Sequence, residues 1–253
     1  MIRSIVVHDI PMAHVAAMER WYWRDHAPEI VRRYGPWLTR HESFLPVDAP
    51  AEARAYGFFN WRVTDGWWRE IPAPGARGAM AFTTPPHWPT VATCFIPAQP
   101  DHDFKGAEIQ PRDRNVLRWL QLWRYPEGVS REEGDAWFVT THAPEVCAQR
   151  GLYRFFSHGT VSPGTGLPGV WPQAAIPPMR AGLITGWHRV AELWYDNFDD
   201  WHASVIVDPP PYTPPPWARQ AQYPFLTPRD GFVSSFLLER PTDEFLRDAR
   251  GTV

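Results

Sequence analysis

The chain has 253 residues, a net charge of −3 and a pI near 6.4. Because its basic residues are scattered, the charge pattern gives no reason to expect nucleic acid or a membrane surface as a partner. No stretch approaches the roughly 20 apolar residues that cross a membrane, and the N-terminus lacks the apolar region of a signal peptide, so we expect a cytoplasmic protein.

Taken in chain order, residues 1–100 predict the element order βαββαβ of a ferredoxin-like unit. A β-branched apolar run predicts a buried strand over 2–7, and apolar residues at helical spacing predict an amphipathic helix over 12–34. The other predicted elements of this half are strands over 37–45 and 56–63, a short helix over 67–71 and a strand over 91–96.

Residues 115–253 predict the same order after a polar, proline-containing linker over 101–114. The predicted elements are strands over 117–123, 152–158, 183–194 and 232–239, helices over 131–149 and 197–206, and a short C-terminal helix over 243–250. Three long loops rich in proline and glycine, over 72–90, 161–181 and 208–230, are expected to cover a ligand site.

Tryptophan and proline, at 15 and 29 residues, are the unusual part of the composition. Most of the tryptophan rings must fill the core, because each one buries a large rigid apolar surface. We expect the others to line a cavity for a flat apolar ligand, since such cavities are mainly aromatic. Cys94 and Cys147 are predicted to be small core residues in a reducing compartment.

The tetrapeptide His-Ala-Pro-Glu occurs twice, starting at His26 and at His142, and it marks the chain as an internal duplication. The two copies are 142 − 26 = 116 residues apart. In both copies a tryptophan, Trp21 or Trp137, stands five residues before the histidine. Weaker similarities follow in the same order, and their spacing grows toward the C-terminus because the second half carries longer loops.

The histidines that precede these helical prolines are candidates for proton transfer. A proline inside a helix removes the hydrogen bond to the carbonyl four residues back, so the helix kinks or restarts there. Imidazole titrates near neutrality, and Tyr22 lies one helical turn before His26. In the alternative, structural interpretation, His26 and His142 bond neighbouring carbonyls and lock the kinks.

The run Trp-Tyr-Trp-Arg-Asp-His-Ala-Pro-Glu-Ile over 21–30 resembles the EthD-like family of the dimeric α/β-barrel superfamily. Members show an aromatic-rich helix followed by His-Ala-Pro and an apolar residue. This chain departs from the pattern at Glu29 and Glu145, where the family often has leucine. The resemblance implies an α+β fold of two tandem ferredoxin-like repeats, whose sheets pack face to face into a barrel within one chain.

The resemblance implies less about function than about fold. Relatives include cofactor-free oxygenases, isomerases, cyclases and a lyase, while others bind haem, and EthD itself is regarded as an accessory protein. The leading hypothesis is a cofactor-independent enzyme that acts on a small aromatic or polyketide-like molecule by histidine-mediated proton transfer, of lyase, isomerase, cyclase or dehydratase type. A haem enzyme and a non-catalytic binding protein are the alternatives, and a homodimer of such chains stays open.

Under the leading hypothesis, His26 or His142 is the general acid and base, and Tyr22 is a second proton donor or hydrogen-bond partner. His8 ends the first strand, either at the expected barrel mouth or as a surface residue at the turn before Pro11, and Trp123 or Arg124 matches it in the second copy. No metal is expected. The predicted substrate-binding residues are His8, Trp21, Trp23, Trp61, Trp123, Arg124, Trp137 and Trp187.

Two motif-like runs are interpreted as structural. The pattern G-x-G-x-x-G over 164–169 is followed by several prolines, which prevent the helix that would bind a dinucleotide phosphate. The run Asp101-His102-Asp103 is predicted to be a solvated charge cluster, because no further ligands stand at metal-site spacing.

Overall fold

The structure is a computed structural model that describes residues 2–70, 86, 90–97, 100–109, 116–160, 187–238 and 240–246. For residues 2 and 90–97 it describes the backbone alone. The loop predicted over 161–181, the G-x-G-x-x-G run inside it, and nearly all of the loop over 72–90 lie outside the described residues.

The fold is α+β and is built on two antiparallel sheets, each with five strands in the described part of the chain. Sheet A has the order β10-β2-β3-β1-β4, and sheet B has the order β5-β7-β8-β6-β9. The strands are β1 (Ile2–Asp9), β2 (Leu38–Phe44), β3 (Arg62–Trp68), β4 (Thr90–Pro97), β5 (His102–Lys105), β6 (Leu117–Trp123), β7 (Arg154–Gly159), β8 (Arg189–Tyr195), β9 (Phe232–Leu238) and β10 (Asp243–Glu244).

Both halves arrange their own four strands in the ferredoxin-like order 2-3-1-4. The strand registers match as well, because His8 pairs with Arg62 in the first half and Trp123 pairs with Arg189 in the second. Positions therefore correspond at an offset of 123 − 8 = 115 in the first strand and 189 − 62 = 127 in the third. These registers assign a counterpart to each site residue on the strands, and they match Trp123, rather than Arg124, to His8.

In each sheet, one edge strand comes from the segment that follows the other half in the sequence. β5 follows the first half but pairs with β7 in sheet B, and β10 follows the second half but pairs with β2 in sheet A. The predicted linker over 101–114 therefore contains a strand. The C-terminal helix predicted over 243–250 does not begin at Asp243, because Asp243 and Glu244 form strand β10. Pairing with the free edge of β2 supplies backbone partners that a short exposed helix lacks.

The amphipathic helices predicted over 12–34 and 131–149 are both present, and each is interrupted by a π-helical segment. None of the described helices is long and apolar enough to cross a membrane. The helical elements are a 3-10 turn (Met12–His14), α1 (Val15–Trp21), π1 (Tyr22–His26), α2 (Ala27–Tyr34), α3 (Ala51–Arg54), α4 (Arg131–Trp137), π2 (Phe138–His142), α5 (Ala143–Cys147), α6 (Phe198–His202) and π3 (Ala203–Val207).

The prolines of the repeated tetrapeptide explain the position of π1 and π2. Pro28 cannot donate to the carbonyl four residues back, and its ring clashes with that carbonyl. The wider π turn accommodates this defect, since the Ala27 N–H bonds to the Tyr22 carbonyl, five residues back. The Ala143 N–H bonds to the Phe138 carbonyl in the same way. The prolines thus produce a π segment that ends on the histidine, rather than a break in the helix.

The third strand of the first half starts later than predicted. The sequence predicts a strand over 56–63 and a helix over 67–71, whereas β3 runs from Arg62 to Trp68. The helix prediction is wrong, because Trp67 and Trp68 pair with β1 on one side and β2 on the other. Two flanking strands satisfy the backbone of this segment and override its local pattern.

Each sheet buries both of its faces, one against the other sheet and one against helices. Between the sheets, Ile5 and Val63 of sheet A pack with Leu120 and Val233 of sheet B. The alternate residues of the same strands face the helices, because side chains along a strand point to opposite faces. His8 therefore lies on the helix side of sheet A and not inside the barrel.

Buried ion pairs connect the two sheets inside the barrel. Arg3 pairs with Asp65 (Nη2 to Oδ2, 2.7 Å), and Arg118 pairs with Glu192 (Nη2 to Oε2, 2.7 Å). Arg3 also reaches across to Glu192 (Nη1 to Oε1, 2.8 Å). Arg118 and Glu192 correspond to Arg3 and Asp65 by strand register. The duplicated pairs thus meet at the centre of the barrel.

We expect Glu192→Leu to lower the free energy of unfolding by about 3–5 kcal/mol, because it leaves the buried Arg118 without a carboxylate. Replacing Arg118 by leucine as well should recover much of this loss, since a buried pair is often replaced by apolar residues at little cost. Urea unfolding of both proteins measures the difference. As a control, Asp208→Ala breaks the exposed pair with Arg150 and should change the stability by less than about 1 kcal/mol. A loss of similar size in Asp208→Ala and Glu192→Leu would contradict the account.

Candidate active site

Each half buries one arginine between its sheet and its helices. In the first half this residue is Arg62, whose side chain is fully buried. Its Nη2 donates to Glu19 of α1 (Oε2, 2.6 Å), and its Nη1 donates to Ser43 of β2 and pairs with Asp243 of β10 (3.4 Å). Three elements thus hold one cation in place, as a buried guanidinium requires.

The second half repeats this arrangement around Arg189. Its Nη1 donates to Ser157 of β7 (2.7 Å) and to Asp101 just before β5 (3.2 Å), and its Nε donates to Asp135 of α4 (3.1 Å). Asp101 also accepts from the Gly159 N–H at 2.8 Å. Asp101 is exposed, in agreement with the predicted solvated cluster, and strand exchange also places its carboxylate against the buried arginine.

Tyr22 is polar, whereas the corresponding residue of the second half, Phe138, is apolar. The Arg62 guanidinium lies 4.1 Å from the centre of the Tyr22 ring, and Arg189 lies 4.9 Å from that of Phe138. The Tyr22 hydroxyl is 3.2 Å from Oγ1 of Thr64, with which it shares a hydrogen bond. Burial raises the pKa of Tyr22 despite the nearby Arg62 charge, so the phenol stays protonated at neutral pH.

His26 ends π1 and is only half-buried. Its ring stacks on Trp21, with centroids 4.7 Å apart, and lies 5.6 Å from that of Tyr22. Burial lowers the pKa of His26 to about 4, although Glu29 opposes the shift, and Arg62 acts in the same direction as burial. The imidazole is therefore neutral at pH 7 and able to accept a proton.

Two histidines of sheet A lie beside His26. His8 packs edge-on against Trp61 at 5.2 Å, and His41 lies 5.2 Å from Phe245. Burial and, to a smaller extent, the proximity of His26 lower the pKa of each to about 3. Among the described residues, His8 Nδ1 and His41 Nε2 have no hydrogen-bond partner. The first half thus concentrates buried imidazoles around Tyr22.

His142 is enclosed by the chain's own rings and is 1% exposed. Its imidazole is sandwiched between Trp137 (5.1 Å, 18°) and Tyr223 (5.6 Å, 21°), with Trp123 at 4.9 Å. Tyr212 stacks in turn on Tyr223 at 4.7 Å. The loop over 208–230, predicted to cover a ligand site, therefore packs directly on His142.

Hydrogen bonds fix this loop in place. The Tyr195 hydroxyl donates to Gln149 (Oε1, 2.6 Å), and Gln149 Nε2 donates to the Tyr212 hydroxyl (2.6 Å). Gln121 Nε2 donates to the Tyr223 hydroxyl at 3.3 Å. Both tyrosines of the loop are thus anchored to side chains of the second half. The space around His142 is filled by their rings.

Strand register and the 116-residue offset of the helices show how the two sites differ. Both retain the arginine, its serine and acidic partners, the tryptophan and the histidine of the π segment. Four of the differences replace a polar residue by an apolar one: His8 by Trp123, Tyr22 by Phe138, His41 by Phe155 and Thr64 by Ala191. In the opposite direction, His188 stands where the first half has Trp61, and the Tyr125 hydroxyl donates to Asp135 at 2.7 Å.

The structure distributes the predicted binding residues unevenly. Trp21 and Trp61 pack in the cluster that contains Tyr22, and Trp123 and Trp137 surround His142. Trp23 is 45% exposed at the margin of the first site. Trp187 packs between the two sheets, and Arg124 pairs with Asp230. The structure does not group these last two with either histidine of the π segments.

Sequence reasoning missed several residues of the first site. Arg62, Glu19 and Asp243 come from a strand, a helix and the end of the chain, and their juxtaposition depends on strand exchange. One signal was available, since Trp61-Arg62-Val63 and His188-Arg189-Val190 are similar runs in the same order. Glu19 and Asp135 also stand at the 116-residue offset of the histidines.

The described residues give no support to a metal centre. Within the described ranges, no group of three or more His, Cys, Asp or Glu side chains is placed to hold a metal ion. Haem would need an axial histidine with an accessible ring nitrogen. His142 does not fit this role, because the residue is 1% exposed and lies among the rings of Trp137 and Tyr223.

Comparison with known proteins gives one family match. Residues 1–85 match the model of the chalcone isomerase N-terminal domain, which covers about a third of the chain and does not confirm the EthD-like resemblance. No curated protein matches. A solved structure from Lactobacillus acidophilus NCFM, described as that of a proposed monooxygenase, is similar over 94% of both chains at 10% identity and a TM-score of 0.36, which is too low to carry an argument.

Proposed function

We propose that the first half carries the active site of a cofactor-independent isomerase or cyclase that acts on an aromatic compound. One observation carries the proposal: His8, Tyr22, His41 and Thr64 surround the first site, and each has an apolar counterpart in the second. The second half keeps the scaffold around Arg189 but has apolar residues at the positions of the titratable His8, Tyr22 and His41. Proton transfer needs those groups, so the chemistry is assigned to the first half.

The match to the chalcone isomerase N-terminal domain supports an aryl enone as the substrate class. Residues 1–85 include His8, Tyr22, His26 and His41, so the match spans the proposed proton-transfer groups. Trp61 and Trp21 pack beside them as buried rings, and aromatic rings of this kind are typical of sites for flat apolar compounds.

The proposed reaction joins a phenolic oxygen to the β-carbon of the enone. The phenol loses its proton, a carbon–oxygen bond forms, and the α-carbon receives a proton. The product is an isomer of the substrate, so no oxidant, reductant or second substrate is consumed. The protein has to hold the two reacting groups together and move one proton between them.

His26 is the proposed general acid and base. It is neutral at pH 7, because its pKa is lowered to about 4, and it is half-buried at the end of π1. It would accept the phenolic proton and return it to carbon. Tyr22, which stays protonated, is the proposed second donor, held by Thr64 at 3.2 Å. His8 would bind a polar group of the substrate through its ring nitrogen.

The test is turnover of a 2′-hydroxychalcone by the purified protein, without added cofactor and with a metal chelator present. We expect the enone absorption to disappear faster than in buffer, at a rate proportional to protein concentration. An absorption spectrum of the same sample serves as a control for haem. Chelator-resistant turnover without a haem band supports the proposal. A haem band with matching added mass, or tight binding of the compound without turnover, would favour one of the alternatives and overturn it.

A further inference from the structure

The chain's C-terminal segment, residues 240–246, follows the second half but is attached to the site of the first. Asp243 and Glu244 pair with Ser43 and Glu42 of β2. The Phe245 N–H donates to the His41 carbonyl at 3.0 Å. This segment lies beyond the residues that match the chalcone isomerase model, so the match does not account for it.

Asp243 is one of the groups that hold the buried arginine. Its carboxylate is 3.4 Å from Arg62 Nη1, and Glu19 binds the other terminal nitrogen. Burial raises the pKa of Asp243, while Arg62 opposes this shift. Because the Arg62 guanidinium lies against the Tyr22 ring, the position of Asp243 bears on the orientation of the proposed proton donor.

Phe245 forms a wall of the same site. Its ring lies 5.8 Å from that of Tyr22, 5.2 Å from that of His41 and 5.2 Å from that of Trp23. Phe245 is only partly buried. It therefore contacts both the enclosed Tyr22 and the solvent-exposed Trp23, where it can limit which aromatic ring fits beside them.

We infer that the C-terminal segment contributes residues to the first-half site. Asp243 positions Arg62 against the ring of Tyr22, and Phe245 determines which aromatic ring of a substrate fits beside it. The kinetic consequences rest on the proposed function. The positional consequences do not, because they concern only the contacts of Asp243 with Arg62 and of Phe245 with Tyr22 and His41.

The second half provides matched controls for both residues. Asp101 holds Arg189 as Asp243 holds Arg62. Phe104 lies 4.8 Å from Phe155 and 6.3 Å from Phe138, which are the counterparts of His41 and Tyr22. Substitution of Asp101 or Phe104 therefore removes the same kinds of contact at the site that is not proposed to be catalytic.

The experiment compares Asp243→Asn and Phe245→Leu with Asp101→Asn and Phe104→Leu, all in the full-length chain. With a 2′-hydroxychalcone, we expect Asp243→Asn to lower kcat by about 10-fold or more, since it misplaces a reacting group. Phe245→Leu should raise KM by roughly 2- to 10-fold through the lost ring contacts, and Phe245→Tyr should restore it. The second-half variants should stay within about twofold of the wild type, because their contacts lie outside the proposed site.

A second readout needs no substrate. The NMR titration of His26 should move to lower pH in Asp243→Asn, because Arg62 then lies near His26 with less opposing charge, and it should not move in Asp101→Asn. If the wild type does not turn over the enone but this shift is found, the proposed function fails and the positional inference stands. Equal effects of the two asparagine variants on His26, or no effect of either, would overturn the inference. Phe245→Leu and Phe245→Tyr change no charge. They test the inference separately if Asp243→Asn fails to fold.

Discussion

Replacing His26 by alanine is expected to lower kcat for the aryl enone by about 10²- to 10⁴-fold, the usual contribution of a positioned acid or base. His142→Ala should leave kcat within about twofold, because the imidazole is enclosed by Trp137 and Tyr223 and has no access to a substrate. The measurement is kcat at pH 7 for both proteins.

For stability, His142→Ala should have the larger effect and His26→Ala the smaller one. His142 is 1% exposed and packed among rings, so its loss leaves a cavity and should cost on the order of 2 kcal/mol. His26 is half-buried, so its removal should cost less. Large and equal losses of kcat in both variants would assign catalysis to both halves, and unchanged kcat in His26→Ala would remove the acid–base assignment.

Lowering the pH from 7 to 5 is expected to reduce the free energy of unfolding by about 9 kcal/mol. His8, His41 and His142 have a pKa lowered to about 3, chiefly by burial, and His26 and His158 have one lowered to about 4. In the unfolded chain each returns to a pKa near 6.5, so between these values the unfolded state binds more protons. Stability is then lost as the pH falls below about 6.5, by about 1.4 kcal/mol per pH unit for each histidine.

Urea unfolding at pH 7, 6 and 5 measures this dependence. A matched control is His158→Phe, since the counterpart of His158 on β2 is Phe44. It should reduce the pH dependence by about a fifth, because one of five protons no longer binds on unfolding. A free energy of unfolding that is the same at pH 7 and pH 5 would mean that these histidines are not buried in their neutral form.

The repeated order of elements could be predicted from the sequence, because it rests on local patterns. Apolar runs such as Leu117 to Trp123 and the helical spacing before His26 and His142 are read within a few residues. The internal duplication stays a prediction, which rests on the tetrapeptide and its constant spacing from Trp21 and Trp137. The boundaries of the domains, at 100 and 115, remain predictions.

The exchange of edge strands could not be predicted in the same way. Residues 102–105 and 243–244 are short and polar, and nothing local indicates that each pairs with the sheet of the other half. Their pairing is decided by the free edges of β2 and β7, which are long-range properties of the assembled fold. Since Asp243 and Phe245 reach the site only through this pairing, they were missed as well.

The candidate site was predictable in part for a related reason. His26, Tyr22 and Trp21 share one helix, so periodicity indicated their proximity. His41 and Thr64 come from separate strands, and only the register of sheet A brings them to the same face. The choice between the halves also depended on register, because a difference such as Thr64 against Ala191 has no meaning until the strands are aligned.

The most direct test of the claim that one half carries the site is to titrate the protein with a non-reactive aryl ketone and follow the histidine NMR signals. We expect one bound molecule per chain, with shifts of the His26 and His8 signals and none of the His142 signal. Two bound molecules per chain, or shifts confined to His142, would contradict the assignment of the active site to the first half.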